Sequence, residues 1–98
     1  MANKGYWVAC VNVKDQNQFR KYVDLAGPAI KLYGGKFLVR GDNVDNIEGK
    51  KYERIVVSIF DSTTKAKECY HSKEYQHALS FLDKNVVDRI IHIAEGLD

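Results

Sequence analysis

An arginine inside an apolar segment is the first candidate for a functional side chain. Arg40 lies in the run 36–41, Lys-Phe-Leu-Val-Arg-Gly, which otherwise has the character of a strand. Arginine is seldom buried without a partner, and its planar guanidinium pairs well with a carboxylate. We therefore expect Arg40 to bind an anionic group, either on a ligand or on the protein. A structural ion pair, with Glu48 or with an acidic residue across a subunit interface, is the alternative and the commoner use of such residues.

Glu48, His71 and Cys10 are the other residues that could take part in catalysis. Glu48 could transfer a proton if it faces a pocket, although a solvated carboxylate is the favoured interpretation. His71 follows a predicted helix and could relay protons near neutral pH, or it could be an exposed linker residue. Cys10 would need a cationic neighbour, for which Arg40 is the candidate, to become a reactive thiolate. Otherwise it is a small buried hydrophobe.

Three aromatic residues are candidates for ligand contact: Tyr6, Trp7 and Tyr70. Tyr6 and Trp7 are adjacent in a strand, so their side chains must point to opposite faces of the sheet. One would face the helices and the other the bare side of the sheet, and packing is favoured over ligand contact for both. Tyr70 precedes His71 at the break between two predicted helices, where a side chain can reach a cleft.

Several classes of function lack their usual sequence signals. The histidines and cysteines show no metal-ligand spacing, and no glycine-rich phosphate-binding motif is present, so no metal and no cofactor are expected. Fifteen Lys and Arg residues against thirteen Asp and Glu are spread along the chain, which argues against nucleic-acid binding. No apolar run approaches the roughly 20 residues that a membrane helix needs. Without an apolar leader at its start, the chain is expected to be cytoplasmic with reduced thiols.

The pattern along the chain predicts a single domain over residues 1–98 with a β-α-β-β-α-β order. Strands are predicted at 5–13, at 36–41 with an extension toward Glu48, at 53–60 and at 86–94. Asp15 begins a helix in which Gly27-Pro28 should cause a kink or a restart and which Gly34-Gly35 should end. Helical segments are also expected at 63–70 and after Ser72. This is the ferredoxin-like arrangement, in which the helices lie on one face of the sheet.

The strands themselves suggest a homodimer. The segments 53–60 and 86–94 are largely apolar on both faces, whereas a sheet with one wet face should alternate apolar and polar residues. With helices on one face only, the other would expose more apolar surface than a monomer usually does. No predicted loop is long enough to cover it. We therefore expect the same face of a second copy to pack against it.

Several segments together resemble the domain-of-unknown-function 1330 family. They are Gly5-Tyr6-Trp7, the run 33–41, the run 72–76 and the closing segment 91–96. Their order and spacing cover nearly the whole chain. The resemblance implies a dimeric α+β barrel, in which two ferredoxin-like sheets pack face to face. It transfers the fold and no assigned chemistry.

Three positions depart from the pattern of that family, and they bear on function. Cys10 stands where relatives often have histidine, Asp42 where a second glycine is usual and Lys73 where proline is common. If that histidine transfers a proton in relatives, Cys10 alters or removes the activity here. The wider superfamily includes cofactor-free oxygenases, isomerases and haem-handling enzymes. The resemblance speaks against haem degradation, because the only tryptophan, Trp7, lies in the first strand.

Two functions remain open at this stage. The first is a pocket for a small organic ligand between sheet and helices, with an oxygenase-type or isomerase-type reaction. The second is a non-catalytic module that binds a metabolite or assembles with other subunits, which fits the lack of an obvious acid–base pair. RNA binding is disfavoured, because the third strand, 54–60, lacks the aromatic motif of RNA-recognition domains.

Overall fold

Four strands form one antiparallel sheet in the order β2-β3-β1-β4, and three helices complete the computed structural model. The structure describes residues 3–98. In chain order the elements are β1 (Gly5–Val13), α1 (Gln16–Leu32), β2 (Lys36–Gly41), β3 (Arg54–Phe60), α2 (Thr63–His71), α3 (Lys73–Leu79) and β4 (Val87–Glu95). The predicted ferredoxin-like order is confirmed, with the second helical segment built from the pieces α2 and α3.

Helix α1 begins and ends as predicted but is not interrupted. The Asp15 carboxylate accepts a hydrogen bond from the Gln18 amide at 3.1 Å, and Gly34 adopts φ 80° just beyond the last turn. Of the kink or restart predicted at Gly27-Pro28, the restart was wrong, since one helix runs from Gln16 to Leu32. Proline removes one backbone hydrogen bond. Packing of the apolar face of the helix on the sheet supplies most of its stability and outweighs that loss.

The second strand is shorter than one of the predictions. Strand β2 ends at Gly41, and its extension toward Glu48 was wrong, because residues 42–53 form a loop. Two asparagine side chains replace the missing strand pairing with local hydrogen bonds. Asn46 bonds the backbone of Tyr52, and Asn12 of β1 bonds the backbone at Lys51 and Glu53.

The core lies between the sheet and the helices. In β1 the side chains of Trp7, Ala9 and Val11 are buried while their neighbours are half-buried, which is the alternation that a one-sided helical layer imposes. Trp7 packs edge-on to Tyr75 with ring centroids 4.8 Å apart and lies 5.2 Å from Phe60. We call this side the helix face of the sheet.

The opposite side, which we call the open face, carries no helix. Its apolar side chains are half-buried or exposed: Tyr6, Val8, Cys10, Val39, Ile55, Val57, Ile59 and Ile90. No loop covers this face as a whole within residues 3–98, although one loop reaches its edge. The 42–53 loop crosses one end of it, where Lys50 forms an ion pair with Asp88. Among residues 3–98 no helix is both long and apolar enough to cross a bilayer.

Candidate functional site

A cavity of about 50 Å³ lies between α1 and the helix face of the sheet. Its walls are mostly apolar, and three arginines and one tyrosine supply the charged and hydroxyl groups. No Asp or Glu lines it. The lining residues are Trp7, Ala9, Val11, Phe19, Tyr22, Val23, Ala26, Gly27, Ile30, Phe37, Arg40, Arg54, Val56, Arg89 and Ile91.

Strand register explains why the arginines meet there. Val11 of β1 pairs with Arg54 of β3 on one side and with Arg89 of β4 on the other, so both arginines point with Val11 to the helix face. Two strand spacings place their Cα atoms about 10 Å apart. Arg40 of β2 pairs with Val56 and completes a row of cations across the sheet.

Arg89 is held by two tyrosine hydroxyls from different helices. Its two terminal nitrogens donate to the Tyr22 and Tyr75 hydroxyls, each at 3.2 Å, and the two hydroxyl oxygens are 2.6 Å apart. Tyr22 comes from α1 and Tyr75 from α3. The first turn of α3 is fixed by Ser72, whose hydroxyl accepts from the Tyr75 amide at 3.1 Å.

Tyr75 remains a neutral hydrogen-bonding group. Burial raises the pKa of Tyr75 far above its ordinary range, and the neighbouring Tyr22 raises it further, although Arg89 acts in the opposite direction. Tyr75 therefore stays protonated and cannot serve as a counter-charge for Arg89.

The cluster of Arg89, Tyr22 and Tyr75 has more hydrogen-bond donors than acceptors. A guanidinium carries five N–H donors, and Arg89 uses two of them on the tyrosines. One of the two tyrosine hydroxyls donates its proton to the other, so the proton of the second hydroxyl remains free to donate. The ion pairs within residues 3–98 involve Lys4, Lys50 and Lys65, so no carboxylate neutralises Arg89. The remaining donors of this half-buried arginine are therefore available to a group with lone pairs.

The other two arginines also lack a carboxylate partner among residues 3–98. The Nε atom of Arg54 is buried without a hydrogen-bond partner, and the guanidinium lies 5.7 Å from the Phe19 ring centroid. The Arg40 guanidinium lies 4.3 Å from the Phe37 ring centroid and is exposed at the rim. Within the described chain Arg40 forms no ion pair, so its proposed structural pair with Glu48 is absent.

Of the residues singled out from sequence, the structure brings Trp7, Arg40 and Tyr70 to this side of the sheet. Trp7 and Arg40 line the cavity, and the Trp7 indole donates to the Ala66 carbonyl at 3.0 Å. Tyr70 packs edge-on to Trp7 at 6.0 Å behind the cavity wall. His71 is exposed, with its ring 5.2 Å from that of Tyr70.

The remaining candidates lie elsewhere. Glu48 is exposed in the 42–53 loop, and Tyr6 and Cys10 are on the open face. The Tyr6 hydroxyl donates to Asp98 at 3.1 Å. The expectation that Arg40 could activate Cys10 was wrong, because strand alternation places the two side chains on opposite faces of the sheet. Among residues 3–98 no three His, Cys, Asp or Glu side chains are grouped as metal ligands.

Sequence reasoning missed Arg89, Arg54 and Tyr22. The signal that marked Arg40 was present for the two arginines as well. Arg89 shares its strand parity with Val87 and Ile91, and all three point to the core side of β4. An arginine at a core-facing position of a strand is therefore a more specific signal of a functional site than an arginine that merely lies in an apolar run.

The comparisons with known proteins agree with this fold. A family model described as Domain of unknown function (DUF1330) matches residues 4–97, and the chain belongs to that family. No curated protein sequence is significantly similar to the chain.

Three solved structures illustrate the fold that the chain shares. A protein of unknown function from Rhodopseudomonas palustris has a TM-score of 0.78 at 13% identity, over 100% of this chain and 85% of that one. A dimeric ferredoxin-like protein of unknown function from Thermobifida fusca has a TM-score of 0.57 at 14% identity, over 97% and 92%. SnoaB, a cofactor-independent oxygenase from Streptomyces nogalater, has a TM-score of 0.59 at 8% identity, over 99% and 96%. At these identities the likeness concerns the fold alone.

Proposed function

We propose that this protein binds a small organic anion in the cavity between α1 and the sheet. One observation carries the proposal: Arg89 lies in an apolar cavity with only tyrosine hydroxyls as hydrogen-bond partners. Arg89 is half-buried among apolar side chains, where a cation without a counter-charge attracts an anion more strongly than it would in water. An anionic oxygen on a ligand would accept from Arg89 and from the free tyrosine proton, and would neutralise the charge.

The shape of the site favours a ligand with an apolar body. Ligand pockets usually measure about 300–1,000 Å³, whereas this cavity encloses about 50 Å³. The Arg40 side chain and the Phe37 ring beneath it form an exposed part of the wall. Outward movement of these two side chains would admit the ligand, whose apolar part would then contact Trp7 and Ile91.

Oxygenation without a cofactor is the reaction that we consider first for this site. A cationic guanidinium beside a hydroxyl donor suits an enolate or phenolate oxygen, because both stabilise the charge that forms when a substrate loses a proton. Such an anion can itself reduce dioxygen, and SnoaB shares the fold. An isomerase would use the same stabilised anion. Non-catalytic binding of a metabolite is the alternative, and the arrangement of arginine and tyrosine groups in the cavity supports it equally well.

We also propose that the protein is a homodimer through the open face. Apolar patches beyond a few hundred Å² seldom remain exposed on a monomer. Val39 and Ile90 on this face are 48% and 42% exposed. The similar protein from Thermobifida fusca is a dimer. The cavity lies on the other side of the sheet, so its ligand would enter each subunit separately.

Paired ligands test the binding proposal. Benzoate and phenylacetate would be compared with benzamide and phenylacetamide by calorimetry and thermal shift, since each amide keeps the shape and lacks the charge. We expect the acids to bind and the amides to bind at least about 10-fold more weakly, as a lost charged hydrogen bond predicts. At 100 times its dissociation constant a ligand adds about 2.7 kcal/mol to the stability.

Matched variants locate the binding. Arg89→Gln should abolish the preference for the acids, Arg89→Lys should keep part of it, and Arg40→Ala should weaken it less. Arg20→Gln removes the same charge from the exposed side of α1 and should leave binding unchanged. Equal affinity for acids and amides, or a preference that survives Arg89→Gln, would contradict the proposal. Oxygen consumption with each bound acid or phenol, measured with and without air, then separates an oxygenase from a binding module.

A further inference from the structure

We infer that the cavity takes a ligand with two anionic groups, one at Arg89 and a second at Arg54. This inference rests on the proposed function and names the class of ligand more closely. It predicts dicarboxylates, or a carboxylate with a second anionic oxygen at its far end, over simple monocarboxylates.

The first argument is that Arg54 remains unpaired after one anion has bound at Arg89. Its Nε atom is buried without a partner, and no ion pair within residues 3–98 includes it. Both arginines line the same cavity, which has no acidic side chain of its own. A monoanion at Arg89 would therefore leave a second cation in an apolar wall.

Contact with the Phe19 ring does not compensate Arg54. A cation over an aromatic ring is a weak contact at partly exposed sites, and 5.7 Å is near the outer limit for it. A buried donor left without an acceptor costs more than such a contact contributes, above all when the donor is charged. The balance favours a second acceptor supplied by the ligand.

The two arginines mark separate subsites. Arg89 lies 5.4 Å from the Tyr22 ring centroid, whereas Arg54 lies near the Phe19 ring. The centroids of these two rings are 5.7 Å apart along α1. Together with strand positions about 10 Å apart at Cα, this separation suits two anionic groups at the ends of one short molecule.

A series of chain lengths tests the inference. Glutarate, adipate and suberate would be compared by calorimetry with pentanoate, hexanoate and octanoate, so that each pair shares its number of carbons. In the wild-type protein the best-fitting dicarboxylate should bind about 10-fold or more tightly than its monocarboxylate, as one further charged hydrogen bond predicts. Arg54→Met should remove this advantage and leave monocarboxylate binding within about 3-fold. Arg54→Lys should restore part of it, and Arg20→Gln should change neither ligand class.

The outcomes separate the two proposals. If monocarboxylates bind through Arg89 and no dicarboxylate binds more tightly, the two-anion inference is overturned and the proposed function stands. If the dicarboxylate advantage survives Arg54→Met in a folded variant, the second subsite is not at Arg54. If neither class binds the wild-type protein, the proposed function itself fails. A melting curve for Arg54→Met confirms its fold, which should be at least as stable as the wild type because a poorly compensated buried cation is removed.

Discussion

The two faces of this one sheet are incomplete in opposite ways. The helix face is covered by α1, α2 and α3, yet its cavity is lined by three arginines, two half-buried and one at the exposed rim, without a carboxylate. The open face has few unpaired charges and leaves apolar side chains such as Val39 and Ile90 in contact with water. On our two proposals, an anion completes the first face and apolar cover completes the second.

This difference indicates what completes each face. Charge in an apolar cavity selects a small molecule that has anionic oxygens, because only such a group removes the electrostatic cost. Apolar area on a flat sheet selects a partner surface of the same kind, because burial of that area is nearly proportional to the area removed from water. The following changes test the contrast, from the largest expected effect to the smallest.

Adjacent residues of β1 compare the two faces directly. Trp7→Ala removes a buried ring that contacts Phe60 and Tyr75, and should lower the free energy of unfolding by about 3–5 kcal/mol. Tyr6→Ala, on the open face, should cost about 1 kcal/mol or less in the monomer. Urea unfolding of both variants at low protein concentration measures this difference. Equal losses would show that the open face is already packed within one subunit.

Charge on the open face should dissociate the proposed dimer. Val57 lies in the middle of this face, between Val8 of β1 and Val39 of β2. Val57→Lys places an unpaired cation in the interface, at about 3 kcal/mol, and should raise the dimer dissociation constant about 100-fold. Light scattering would show a particle of one 11.2 kDa chain. Leu32→Lys, at a 65% exposed position of α1, is the control and should leave the assembly intact.

The two cysteines also compare the two faces of the sheet, one through the pH dependence of stability and both through chemical labelling. Cys69 is fully buried, and burial raises the pKa of its thiol to about 12. The unfolded thiol loses its proton near pH 9 while the folded one keeps it, so stability present below pH 9 is lost as the pH rises toward 12. The loss amounts to up to about 1.4 kcal/mol per pH unit. Urea unfolding from pH 8 to 11 should show a shallower decline for Cys69→Ala.

Cys10 lies half-buried on the open face and can be compared with Cys69 by chemical labelling. A thiol reagent should label Cys10 readily in the monomeric Val57→Lys variant and should reach Cys69 only on unfolding. Fast labelling of Cys69 in the folded chain would show that the helix face opens more easily than its packing implies.

Two buried serines give the smallest and most specific effect. The Ser58 hydroxyl has no hydrogen-bond partner, so Ser58→Ala should leave stability unchanged or raise it by about 1 kcal/mol. The Ser72 hydroxyl donates to the Cys69 carbonyl at 2.6 Å and caps α3, so Ser72→Ala should cost about 1–2 kcal/mol. Thermal unfolding of both variants measures the difference. A loss for Ser58→Ala equal to that for Ser72→Ala would indicate an acceptor for Ser58.

The candidate site was only partly predictable. Arg40 and Trp7 were found from sequence because each is conspicuous within a single strand, and both line the cavity. Glu48 and His71 were chosen for their chemistry, and they lie at the surface because a turn and a helix end place them there. Arg89 and Tyr22 are 67 residues apart in sequence. Only the packing of α1 across β4 brings them together.

The sequence by itself determined the order of the elements, the ferredoxin-like class and the two-faced character of the strands, because alternation and helix caps are local signals. The tertiary structure decided that α1 continues through Pro28, that β2 stops at Gly41 and that Cys10 and Arg40 never meet. It also decided that three arginines from three strands share one cavity. Register between strands and the packing of a helix over them are set by contacts between distant residues, and no local pattern specifies those contacts.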